Sequence, residues 1–169
     1  CQSTVVREGE VLRRIGKMAE LFDDHSLLQI GASGRLGAEL GGQGFTLVGR
    51  LQYQYREGRW TEWEALLDDG SSGTLSEDNG AYVFSRPLTL SRALPAAEQF
   101  RVGITTAIDG QPYAVASNES VQLVSAQGEL PRLPPLGRPF ALVELRSQGD
   151  AGAQGARVLS IDYGPGLED

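Results

Sequence analysis

Residues 45–85 read FTLVGRLQYQYREGRWTEWEALLDDGSSGTLSEDNGAYVFS, and this stretch decides the fold. From residue 45 to residue 55, apolar residues and one glycine occupy the odd positions, while most even positions are polar. This period of two predicts a half-buried strand. Glu57-Gly58 then supplies a turn, in which Gly58 would tolerate a positive φ, and residues 59–67 return as a second strand. The sequence therefore predicts a β-hairpin.

The register of this hairpin follows from the length of its loop. A two-residue loop would place Tyr55 opposite Trp60 and Tyr53 opposite Glu62, because opposite residues of an antiparallel pair share a face. Glu62 would then lie among aromatic side chains. Trp63 would lie on the other face, opposite Gln52.

Further turn signals predict the rest of the sheet. Asn79-Gly80 predicts a second hairpin between residues 74–76 and 81–85, which completes a four-stranded meander. Asp109-Gly110 predicts a hairpin between residues 101–108 and 111–117, and residues 140–146 and 157–163 form a last one. Short strands at such spacing are typical of a mainly β fold, here an antiparallel sandwich or partly open barrel built from hairpins.

A short N-terminal amphipathic helix is predicted from residue 10 to residue 22. Val11, Ile15, Met18 and Phe22 recur at helical spacing, while charged residues cover the opposite face. We expect residues 1–24 to be the end of an upstream segment plus this helix. Residues 25–169 are then expected to form a single antiparallel β domain.

Charge and composition disfavour a nucleic-acid partner and a membrane-spanning segment. The 169 residues carry a formal net charge of -7 and a sequence pI of about 4.8. A nucleic-acid partner is disfavoured, because phosphates require a basic face. The sequence has no run of about 18 apolar residues, so no segment is expected to span a membrane.

Common catalytic signatures are missing from the sequence. Cys1 is the one cysteine and His25 the one histidine, and His25 follows two aspartates in a segment interpreted as a helix exit. The glycines around residues 31–37 do not fit a phosphate-binding motif. Asp68-Asp69 and Glu77-Asp78 do not match a calcium loop and are interpreted as a solvated acidic edge. No cofactor is expected in this chain.

Glu62 is the sharpest candidate for a functional residue. A carboxylate on an apolar strand face must be paired, hydrogen-bonded or protonated. It could anchor a cation such as an amine in an aromatic cage, or it could pair with an arginine in a structural role. The candidate ligand-binding residues are Glu62, Tyr53, Tyr55, Trp60, Trp63 and Arg50.

The same stretch resembles a known family. Gly49-Arg50, the Trp60-Thr61-Glu62-Trp63 segment and the Leu75-Ser76-Glu77-Asp78 segment match the pattern of the bacterial family named domain of unknown function 4178. The resemblance covers roughly residues 25–163. The family has no assigned activity, so the resemblance identifies the kind of protein and leaves its function open.

The resemblance also bears on Cys1. Members of that family often carry a zinc ribbon before the domain, which implies that Cys1 is the last ligand of such a ribbon, with the other ligands upstream of this chain. The alternatives are a lipid anchor on Cys1 and an ordinary chain boundary. We expect a cytoplasmic protein, or one that is lipid-anchored through Cys1.

Three functional hypotheses follow. The first is a non-enzymatic binding or adaptor module for a protein partner or a small cationic ligand. Relatives tend to be encoded beside small membrane proteins and polyamine-synthase-like enzymes, which implies a link to the cell envelope or to polyamines. The second is a carboxylate-based enzyme that acts on a small cationic substrate through Glu62 and a tyrosine. The third is a purely structural domain of a larger zinc-ribbon protein.

Overall fold

The computed structural model describes residues 4–8, 11–16, 26–78, 81–131, 135–148 and 157–164. The described residues are mainly β, as the sequence predicts, with two 3₁₀ turns at Ala38–Leu40 and Ala97–Gln99. The strands are β1 (Thr4–Glu8), β2 (Val11–Gly16), β3 (Ser33–Arg35), β4 (Gly44–Gln54), β5 (Arg59–Leu67), β6 (Ser72–Asp78), β7 (Ala81–Ser85), β8 (Thr105–Ile108), β9 (Gln111–Leu130), β10 (Phe140–Ser147) and β11 (Val158–Asp162). Neither of the two three-residue 3₁₀ turns could span a membrane, and the described residues contain no other helix.

The chain folds into two compact units. The first comprises Cys1–Pro87 and Gln122–Arg138, and the second comprises Leu88–Val121 and Pro139–Asp169. In the first unit, the strands run in the order β9, β4, β5, β6, β7, and β3 pairs with the beginning of β4. The predicted four-stranded meander from β4 to β7 is therefore confirmed.

The register predicted for the first hairpin is wrong by two residues. Gln54 and Arg59 form the last pair of the ladder, and the connecting loop has four residues, closed by a 3.1 Å hydrogen bond from the Tyr55 N–H to the Gly58 carbonyl. Gly58 is not among the glycines with positive φ. This register places Tyr53 directly opposite Trp60, where the two rings stack. Because the slip is even, residues 49–54 and 59–64 keep the faces that the sequence predicts. A β-bulge between Leu47 and Gly49 moves Phe45 and Leu47 to the opposite face, which the alternation does not predict.

The other predicted hairpins are confirmed. Asp78 pairs with Ala81, so Asn79-Gly80 connects β6 and β7. Ile108 pairs with Gln111, and positive φ values of 47° at Asp109 and 81° at Gly110 fit the two-residue turn that the sequence predicts. β10 and β11 pair antiparallel as the last hairpin.

The structure does not confirm the predicted N-terminal helix. Val11–Gly16 is a strand that pairs antiparallel with Thr4–Glu8, which itself adds a parallel segment to the end of β9. A helix through Gly16 would carry a glycine in its interior, at a cost of about 1 kcal/mol relative to alanine. The rest of the predicted helix, residues 17–22, lies outside the described residues. The proposed domain boundary after residue 24 stays a prediction.

The second unit has its own apolar core. β8, the first part of β9, β10 and β11 form an antiparallel sheet. Among the described residues, the buried core cluster of this unit includes Phe100, Ile108, Tyr113, Val115, Val143, Leu145 and Ile161. The Asn118 side chain donates hydrogen bonds to the carbonyls of Ala97 and Phe100 and so fixes the 3₁₀ turn over this core.

Candidate functional site

The β4–β7 meander arranges its side chains in rows that cross the strands. Residues that pair directly opposite one another share a face of the sheet. The register defines a Glu62 row (Leu51, Glu62, Ser76, Val83) on one face, and a Trp63 row (Arg50, Trp63, Leu75, Phe84) on the other. The six predicted site residues are therefore divided between two faces.

Glu62 lies in an aromatic group at one end of β5. The indole N–H of Trp60 donates a 3.1 Å hydrogen bond to the Glu62 carboxylate. The Trp60 ring stacks on Tyr53, with 5.1 Å between ring centroids, and meets the edge of Tyr55 at 5.7 Å. Tyr53 is buried, whereas Tyr55, Trp60 and Glu62 are half-buried. Solvent therefore reaches a carboxylate that Trp60 orients.

Arg50 and Trp63 meet on the opposite face. The Arg50 guanidinium carbon lies 5.0 Å from the centroid of the Trp63 ring, a cation–π contact. Trp63 is only 1% exposed and packs in a core cluster with Leu47 and Ala65. A ligand that reaches Glu62 from solvent does not reach Trp63, so these two predicted residues support the sheet from its other side.

A row of polar residues, buried at three of its five positions, also runs along that face. Ser125, Gln52, Thr61, Glu77 and Tyr82 lie opposite one another on five successive strands. Gln52, Thr61 and Ser125 are each at most 4% exposed. The sequence pattern assigns these positions to the polar side of a half-buried strand, so their burial is not predicted. β4 is in fact buried on both faces.

Two hydroxyl groups hold the carboxylate of Glu77, one from Ser26 and one from Tyr82 in the same row. The Ser26 hydroxyl donates to one oxygen of the Glu77 carboxylate, and the Tyr82 hydroxyl donates to the other at 3.3 Å. Partial desolvation and, after it, the charge of Glu77 raise the pKa of Tyr82. Ser26 has no local signal that connects it to Glu77, because the contact joins residues far apart in sequence.

The two aspartates of the loop after β5 accept hydrogen bonds from Ser71 in the same loop and from residues 43 and 44 at the start of β4. Asp68 accepts a 3.0 Å hydrogen bond from the Gly44 N–H. Asp69 accepts bonds from the hydroxyl and N–H of Ser71 and from the side-chain amide of Gln43. The Ser71 hydroxyl, followed by Gln43, lowers the pKa of Asp69 to about 2. Among the described residues, no three His, Cys, Asp or Glu side chains are grouped to hold a metal ion.

A small cleft of about 80 Å³ lies elsewhere in the first unit. Its lining residues include Val48, Glu64, Gly70, Ser72 and Glu129. Sites for small molecules usually enclose about 300–1,000 Å³. This cleft is therefore large enough for a few water molecules. Cys1 and the segment from Asp23 to His25 lie outside the described residues.

Comparison with known proteins gives one match. A family profile described as "Domain of unknown function (DUF4178)" matches residues 37–163, which is most of the chain. No curated protein and no solved structure matches. The matched range contains β4–β11 and all six candidate ligand-binding residues.

Proposed function

The chain belongs to the family described as domain of unknown function 4178, and we propose that it is a non-enzymatic binding module in which Glu62 and Trp60 receive a cationic group. One observation carries this proposal: the Trp60 indole N–H holds the Glu62 carboxylate beside aromatic rings on a half-buried surface. A carboxylate and a ring face both attract an ammonium or guanidinium group.

The charge of the whole chain supports the same ligand chemistry. A formal net charge of -7 raises the concentration of cations near the surface and favours their approach. The cation could come from a free polyamine or from a lysine or arginine of a partner protein. A polyamine is the first ligand to test, because the family resemblance of the sequence implies a link to polyamines.

The geometry gives less support to a carboxylate-based enzyme. Proton transfer by Glu62 would need a second group that can gain or lose a proton at the same substrate atom. The Trp60 indole N–H, which donates a hydrogen bond to Glu62, does not titrate in the accessible pH range, so this contact does not supply such a group. Binding without chemistry is the simpler function for this pair.

Thermal unfolding with added ligands tests the proposal. Spermidine, putrescine and a lysine-rich peptide are titrated separately at constant ionic strength, and Mg²⁺ serves as a control for general screening. A ligand that binds only the folded state raises the melting temperature in a saturating way. Saturation with the polyamines supports a free amine, whereas saturation with the peptide alone supports a partner's side chain.

Two variants locate the effect. Glu62→Gln keeps the side-chain shape and the acceptor for Trp60 but removes the charge, so binding should weaken about tenfold or more. Glu57→Gln is the matched control, because Glu57 is 70% exposed in the adjacent loop. Lower stability of Glu62→Gln with unchanged ligand binding would mean that the residue is structural, and the proposal would be wrong.

A further inference from the structure

β7 is the last strand of the meander and presents an open edge. It pairs with β6 on one side, and among the described residues no strand pairs with its other side. Tyr82 is 50% exposed and Val83 is 55% exposed. An exposed strand edge with apolar side chains is a template for pairing with another chain.

The register shows which backbone groups point outward. Asp78 pairs with Ala81 across only two intervening residues, and a closing pair with this separation is a hydrogen-bonded one. Hydrogen-bonded and non-hydrogen-bonded pairs alternate along an antiparallel ladder. Val83 is thus bonded to Ser76, while the N–H and C=O groups of Tyr82 and Phe84 point away from β6.

We propose that the open edge binds a second copy of this chain, with the two β7 strands antiparallel around a two-fold axis at Val83. In this register, Tyr82 of one copy lies opposite Phe84 of the other, and each pair exchanges two backbone hydrogen bonds. The two Val83 residues form the non-hydrogen-bonded pair at the centre, where side chains approach most closely. All four outward-pointing residues of the two strands are then used.

The side chains along the edge are self-complementary. Tyr82 and Phe84 share one face, so each aromatic ring meets its counterpart in the other copy. Their charged neighbours have opposite signs: Tyr82 contacts Glu77, and the Arg86 guanidinium lies 5.9 Å from the Phe84 ring centroid. The two-fold axis directs Arg86 of each copy toward the Tyr82 and Glu77 end of the other. This charge complementarity favours a second copy over an unrelated chain.

The contact between two β7 strands buries a small area, which limits the affinity of the dimer. A pair of five-residue strands buries less than the roughly 1,200 Å² at which stable interfaces begin. We therefore expect a weak dimer with a dissociation constant in the micromolar range or above, about 10⁻⁶ to 10⁻³ M. Such a dimer forms as the protein concentration rises and dissociates on dilution.

Sedimentation velocity of the purified protein tests the dimer, over concentrations from about 1 μM to about 1 mM. The expected result is a sedimentation coefficient that rises from the monomer value toward the dimer value. Val83→Lys and Val83→Glu should each remain monomeric, because two like charges would meet at the two-fold axis. An equimolar mixture of the two variants should recover the dimer, since only a contact between the two Val83 positions pairs lysine with glutamate.

Two control variants check that the dimer forms through β7. Val102→Lys adds the same charge at a residue that is 63% exposed in the second unit, and it should leave the dimer intact. Glu62→Gln should also leave it intact, because the dimer does not depend on the cation site. A monomer at all concentrations, or a dimer that persists in Val83→Lys, would overturn the proposal. A mixture that stays monomeric would exclude the two-fold contact at Val83.

Discussion

Gly49 lies directly opposite Gly128 in the ladder between β4 and β9, and each glycine leaves room for the backbone of the other strand. A Cβ atom on Gly49 would clash with the backbone carbonyl of Glu129, and one on Gly128 would clash with that of Val48. Neither carbonyl can move without displacing its strand. The glycine of the Gly49-Arg50 motif is thus explained by the close approach of two strands.

Gly49→Ala should therefore lower the free energy of unfolding by at least the ~1–3 kcal/mol that is typical of overpacked sites. Urea denaturation followed by circular dichroism measures the change. Gly58→Ala is the control, because a Cβ there makes only an ordinary 3.6 Å contact with the Tyr55 ring. Equal stability of Gly49→Ala and the wild type would contradict the close approach.

Acid should weaken the fold through Asp69. Its pKa in the folded protein is lowered to about 2, below the value near 3.9 of an unfolded aspartate. The stabilisation is thus fully present above about pH 4 and is lost as the pH falls through about 2. Asp69→Asn should flatten the pH dependence of unfolding over that interval. A carboxyl titration by NMR that placed Asp69 at an ordinary pKa would refute this prediction.

Asn118 should contribute to the stability of the second unit. Its side-chain amide donates hydrogen bonds of 2.8 and 2.9 Å to the carbonyls of Ala97 and Phe100. Asn118→Ala leaves both carbonyls without this donor, and we expect a loss of about 1–3 kcal/mol in stability. Asn118→Asp should be at least as damaging, since a carboxylate would face two carbonyl oxygens. Chemical denaturation of both variants measures their free energies of unfolding and shows which substitution destabilises the protein more.

The two tryptophans should respond differently to substitution and to quenchers. Trp63 is 1% exposed, so Trp63→Ala should cost about 3–5 kcal/mol. Trp60→Ala should cost clearly less, because Trp60 is half-buried. Acrylamide should quench the fluorescence of Trp60, measured in Trp63→Phe, more strongly than that of Trp63, measured in Trp60→Phe. Equal quenching would mean that Glu62 and its aromatic neighbours are not accessible to a ligand.

Local signals in the sequence predict the hairpins well. Asn79-Gly80 and Asp109-Gly110 favour turns by their own backbone preferences, and the flanking strands alternate over short distances. The first hairpin is harder to predict, because Tyr55–Gly58 is compatible with more than one loop. The stacking of Tyr53 on Trp60 favours the observed register, and that contact involves residues on both strands.

Burial and long-range contacts cannot be predicted from the same signals. Alternation shows that Gln52 and Thr61 share a face, but it does not show whether another part of the chain covers that face. The contact between Ser26 and Glu77 likewise leaves no trace in spacing. For Glu62, the sequence predicts aromatic surroundings, and Trp60 lies on the same face because it is two residues away on the same strand. The spacing does not show that the Trp60 indole N–H is a hydrogen-bond donor to this carboxylate.

The ladder between β4 and β9 also bears on the order in which the chain folds. The β4–β7 hairpins join neighbouring segments, whereas Gly49 meets Gly128 only after a long intervening loop has closed. Closing a long loop costs entropy before its contacts form, so distant pairings are slow. During synthesis, the meander can thus assemble before β9 leaves the ribosome. Nascent chains that have emerged from the ribosome as far as about residue 90 would then leave unpaired the edge of β4 that later bonds to β9, and an unpaired strand edge is prone to aggregation.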